Sequence, residues 1–181
     1  MRRIPAVLLL LPLLLAPAAP AGAHCRCHRA RRPRCADPAA KHRITVDIDL
    51  AVTDGSVEVL TQSGPYRVPV ADLDGKQVLF IVMPRGQVFQ GLLSEAIPNG
   101  LGLGAMSGAT ASVSTGEAFV PGEYEVLLFV DVVPGGGLGP TRGDMAAFDN
   151  SICDPTGVSV RVAVGCEDTT VHLTNRHFIV F

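Results

Sequence analysis

Tryptophan is absent from this 181-residue chain, tyrosine occurs twice, and aromatic residues together make up 5%. A platform on which sugar rings or bases stack is therefore poorly supplied. Charged residues are also sparse, at 18%, which excludes the composition of a highly charged disordered chain. No segment carries a useful length of helical repeat, and no internal repeat or linker divides the chain. A serine-hydrolase elbow, a phosphate loop and a paired-carboxylate motif are all missing as recognisable strings. Nothing here argues for catalysis; an exported enzyme of unknown type stands as an alternative class.

What the chain does have is apolar and turn-forming residues: 48% hydrophobic, with 19 Gly and 14 Pro. That suffices for one domain of ordinary size. Residues 1–23 read as a cleaved export signal. Arg2 and Arg3 give a charged start, residues 6–16 an apolar run, and Ala21-Gly22-Ala23 the small-x-small site a signal peptidase accepts. The four prolines in this stretch make it a poor membrane helix, so the mature chain is expected to lack a transmembrane segment. Export implies a secreted, periplasmic or extracellular protein. Cys25 lies just past the signal, but His24 precedes it where a lipidated cysteine normally follows a small residue.

The formal net charge of −2 hides two opposite regions. Residues 24–43 form a basic arm of net +6, and residues 44–181 a body of net −10. The arginines Arg26, Arg29, Arg31, Arg32 and Arg34 suit an anionic envelope surface, or the chain's own acidic body. Without interleaved aromatics in an exported chain, the arm argues against nucleic acid as a partner.

From Arg43 onward the pattern is β. Ile44, Val46, Ile48, Leu50 and Val52 alternate with polar or small residues, the period of a half-buried strand. Asp54-Gly55 turns the chain into a returning strand over residues 56–61. Residues 66–70, interrupted by Pro69, read as an edge strand. Residues 78–83 are a continuous apolar run that suits a strand buried on both faces, residues 88–93 suggest another strand, and residues 124–133 a further, strongly apolar one. Residues 95–117 read as a long loop with one strand at 109–114. Strands at 158–164, 169–174 and 176–181 complete the set. Together these predict an all-β, antiparallel β-sandwich of about 7–9 strands over residues 44–181.

The run Pro121-Gly122-Glu123-Tyr124-Glu125-Val126, with Phe129 and Asp131 closing the strand, resembles secreted bacterial β-sandwich modules. These are the immunoglobulin-like or prealbumin-like domains, and the resemblance covers residues 119–174. It implies architecture more than activity. Some such modules hold calcium in a loop after the aspartate, but residues 132–139 here carry no side-chain oxygen.

Five cysteines in an exported chain predict disulfides with one left over. An extended strand over 157–164 would hold Cys153 and Cys166 too far apart to pair, and Cys25 and Cys27 are too close in sequence for an easy bond. Each of Cys153 and Cys166 is therefore expected to bond one member of Cys25, Cys27 and Cys35, clamping the arm to the body. The competing reading is a copper or zinc site using His24, Cys25, Cys27 and His28, although the spacing matches no standard zinc motif. If cleavage leaves His24 first, its amine and imidazole form half of a copper-binding histidine brace, needing His172 or His177 as the second ligand. Asp131, Asp144 and Asp149 bracket the glycine-rich loop at 134–140 and are candidate calcium ligands. Arg142-Gly143-Asp144 spells the tripeptide integrins recognise, a string short enough to arise by chance. The sequence thus points to a non-catalytic binding or structural role at or beyond the cell envelope, with metal binding as the runner-up.

Overall fold

In a computed structural model, the described residues are 35–61, 63–84, 100–133, 141–148 and 159–180. Along the first half run β1 (Ile44–Asp49), β2 (Val52–Thr53), β3 (Ser56–Thr61), β4 (Gly64–Pro69), β5 (Gln77–Pro84), β6 (Gly100–Ala105) and β7 (Thr110–Ser114). The second half supplies β8 (Gly122–Val130), β9 (Met145–Ala147), β10 (Val160–Val164), β11 (Thr169–Leu173) and β12 (Phe178–Val180). One short helix, α1 (Val70–Leu73), and a 3-10 turn (Asn175–His177) interrupt them. The protein is all-β, as its residue pattern requires, but with twelve strands among the described residues, several only two or three residues long.

Two sheets share the strands. A smaller one has the order β11-β1-β7; a larger one runs β2-β3-β12-β9-β8-β5-β6, with β4 added on β3 and β10 on β8. Both are mixed, which corrects the expectation of a fully antiparallel sandwich. β1 lies parallel to β11, from Ile44↔Thr169 to Ile48↔Leu173, and β12 parallel to β3 at Ile179↔Leu60. A parallel neighbour needs a long crossover, and the chain between β1 and β11 supplies it. Local alternation sets which face is buried; it carries no information on which distant strand lies alongside.

The inward residues of both sheets make one core. Ile44, Val46 and Ile48 of β1 and Val113 of β7 meet Val78, Phe80 and Val82 of β5, Val126 and Leu128 of β8, and Phe178 of β12. Burying side chains of this size contributes about 1.5–3 kcal/mol each. A second buried cluster, Ile81, Met83, Leu127, Phe129 and Ala146, sits on the alternate positions of β5, β8 and β9. It therefore lies on the opposite face of the large sheet, and it explains why β5 reads as an unbroken apolar run and β8 as strongly apolar.

The region expected to be mostly loop contains β6. Its sequence alternates glycine and leucine, and the glycines face inward because nothing larger fits. A Cβ at Gly102 would collide with the Phe80 ring, and one at Gly100 would stand 2.6 Å from Phe119 Cζ. β6 and β7 then turn the corner between the sheets, joined at one end by Ser107 and Thr110 and at the other by the Gly116 N–H donating to Leu101 O (3.2 Å). The expected edge strand is β4, which pairs only with β3 among the described residues; Val70 opens α1 instead of extending it. The strand expected at 88–93 lies outside the described residues. No helix among them is long and apolar enough to cross a membrane.

Candidate functional site

The arm meets the body through a disulfide. Cys35 and Cys166 are bonded with Cα atoms 5.3 Å apart and a sequence separation of 131. This agrees with the expected pairing of Cys166 to the arm. Cys166 belongs to the turn between β10 and β11, so the crosslink fixes the root of the arm at the start of the three-stranded sheet. Backbone contacts continue the attachment: the Arg43 N–H donates to Asp168 Oδ1 (2.8 Å), the Thr169 N–H to Arg43 O (2.9 Å), and His42 exchanges two 2.8 Å bonds with Phe119. The cluster His24, Cys25, Cys27 and His28, the five arm arginines Arg26, Arg29, Arg31, Arg32 and Arg34, and Cys153 and Asp149 all lie outside the described residues.

The outward face of the three-stranded sheet is polar. Register places Thr45 between Thr170 and Ser114, and Asp47 between His172 and Ser112. The Ser112 hydroxyl donates to Asp47 Oδ1 at 2.6 Å, while His172 Nδ1 stands 3.6 Å from Asp47 Oδ2. Serine, aspartate and histidine therefore touch, but in the wrong order for nucleophilic catalysis. A triad puts the imidazole between the hydroxyl and the carboxylate so that it can take the proton. Here the aspartate stands in the middle, and among the described residues no base reaches Ser112. The arrangement is a hydrogen-bonded polar face. His177, the other candidate brace ligand, accepts the Thr174 N–H at Nδ1 (3.0 Å) and closes the 3-10 turn.

At the far end of β8, Asp131 and Asp144 flank the base of the glycine-rich loop. Asp144 is 2% exposed. Its Oδ1 accepts the N–H groups of Val132 (3.0 Å) and Val133 (2.9 Å), and its Oδ2 accepts the N–H (2.7 Å) and hydroxyl (2.8 Å) of Thr141. A carboxylate so committed closes the loop base, and the buried Asp144 is not presented to an integrin. Asp131 Oδ1 is buried without a hydrogen-bond partner. Among the described residues, no three His, Cys, Asp or Glu side chains gather where a metal ion would be held.

Two structural residues gave no sequence signal. Asn175 accepts the Ala51 N–H (2.7 Å) and donates to the carbonyls of Ala51 and Glu58 (both 3.0 Å). Buried Thr115 accepts the Ile44 N–H (3.3 Å) and donates to Glu117 O (2.8 Å). The partners of Asn175, and Ile44 beside Thr115, are far away in sequence, so no local spacing reveals them.

These features define a disulfide-stapled, all-β protein with a polar face on its smaller sheet. Comparison of the chain with protein-family models, with curated proteins and with solved structures finds no match in any of the three.

Proposed function

We propose that this protein is an exported, non-catalytic β-sandwich of the immunoglobulin-like or prealbumin-like kind, attached to an anionic envelope or extracellular surface by its cationic arm. The Cys35–Cys166 disulfide carries this reading. Structural disulfides persist in oxidising compartments and are rare in the cytosol, which agrees with the leader-like residues 1–23. The crosslink falls one residue after Arg34, so a segment of five arginines is anchored to a body of net −10. A body of that charge repels an anionic surface, and only the arm offers the opposite sign.

Two further observations support the reading. The Tyr124 hydroxyl at the start of β8 donates to Val120 O (3.0 Å), as a tyrosine at a corner of an immunoglobulin-like sandwich does. The contact of Ser112, Asp47 and His172 has an order unsuited to catalysis.

Retention of the oxidised protein on alginate, a polymer of uronic acids, against neutral dextran tests the proposal. Retention on alginate alone, falling as salt is raised and lost when the five arm arginines become glutamine, is the expected result. Equal retention on dextran, or undiminished binding by the variant, would refute it.

A further inference from the structure

A groove of about 280 Å³ lies on the outward face of β2, β3 and β4, lined by Ala51, Thr53, Ser56, Glu58, Arg67 and Asn175. Its walls are set by the fold. Thr53 and Ser56 face each other across the Asp54-Gly55 turn, both of whose residues have positive φ (51° and 71°), and the Val70 N–H pins that turn by donating to Gly55 O (3.0 Å). Glu58 stands opposite Arg67 in the β3–β4 register. Asn175 ties the start of β2 to β3 through Ala51 and Glu58, fixing the floor. A site whose backbone is already held in place loses little entropy when a ligand arrives.

Apart from Asn175, the polar side chains in this groove are under-used. Arg67 Nε and Glu58 Oε2 are 3.8 Å apart, longer than a charge-assisted hydrogen bond, and both side chains are more than half exposed (58% and 59%). Such a pair is worth little as a salt bridge, so its donors and acceptors can turn to a ligand at small cost. The hydroxyls of Thr53 and Ser56 make no hydrogen bond among the described residues. The lining therefore offers a carboxylate acceptor, a guanidinium donor and two hydroxyls that do both.

We infer that this groove binds a neutral saccharide unit, with Glu58 accepting hydrogen bonds from ring hydroxyls and Arg67, Thr53 and Ser56 completing the contacts. The charges of Glu58 and Arg67 cancel, which favours a neutral ligand over an anion or a cation. A ligand rich in both donors and acceptors matches the lining, and Ala51 alone among the lining residues is apolar. Among the described residues no aromatic ring lines the groove, so stacking is missing and binding is weak. The site shares no residue with the arm and does not depend on the arm's partner.

Amide chemical shifts of the oxidised protein, titrated with glucose, galactose and mannose and with glutamate and glucuronate as charged controls, test the inference. A neutral hexose should shift the amides of residues 53–58, 67 and 175 saturably. Glu58→Gln and Arg67→Gln should each weaken that response roughly tenfold, the loss of one charged hydrogen bond. Both variants should keep the wild-type unfolding midpoint, because the pair they break is solvent-exposed. No saturable shift with any hexose overturns the inference. So does a response unchanged in Glu58→Gln, or tighter binding of glutamate or glucuronate than of every hexose.

Discussion

Asp144 owes its role to direction. Buried at the loop base, its carboxylate receives three backbone N–H groups and one hydroxyl. Asp144→Ala would strand those donors, and an unsatisfied buried polar group costs about 1–3 kcal/mol. A loss of roughly 3 kcal/mol in urea unfolding is expected, since several donors lose their partner together. In the sequence the same residue suggests calcium or integrin binding, because an aspartate beside glycine looks alike whether it faces water or the interior. Tyr124 makes a second prediction. Burial pushes its phenol above the ordinary value. A group that holds its proton more tightly when folded contributes stability that is complete below the unfolded value, about pH 10, and lost as pH rises through the folded one. Tyr124→Phe, which also gives up the bond to Val120 O, should be less stable by about 1 kcal/mol at neutral pH. That gap should narrow above about pH 10, when urea unfolding is compared across the two conditions.

Among the elements, β6 and the three-residue β9 are strands the residue pattern concealed. Glycine and leucine in alternation look like loop to any rule based on strand propensity, yet the inward glycines make room for the rings of Phe80 and Phe119. Replacing a strand-interior glycine by alanine ordinarily gains about 0.5–1 kcal/mol. At Gly102 the sign should reverse, with Gly102→Ala costing about 1–3 kcal/mol through overpacking; a lowered thermal midpoint would show it. By contrast β1, β5, β8, β10 and β11 were legible, because their apolar residues follow period two or fill both faces. Their neighbours were not. The pairing of β1 with β11 joins residues about 125 apart, and nothing local in residues 44–48 or 169–173 signals that they lie side by side.

For the molecule as a whole, the disulfide closes a loop of 131 residues. In the chain-entropy view such a loop restrains the unfolded chain by about 5 kcal/mol. The paired change Cys35→Ala with Cys166→Ala should lower stability by up to that amount while leaving the native circular-dichroism spectrum β-rich. The pairing of the arm with Cys166 followed from strand length and spacing, a constraint sequence does express. The groove between Thr53 and Arg67 did not, since Asn175 closes it from the far end of the chain. We propose that this protein is exported and holds its cationic arm by that crosslink. Unreduced peptide mapping of the protein recovered outside the cytosol tests it most directly. A mature chain beginning at His24, with the Cys35 and Cys166 peptides linked, is the result expected. Recovery only from the cytosol, with residues 1–23 intact and both thiols free, would contradict it.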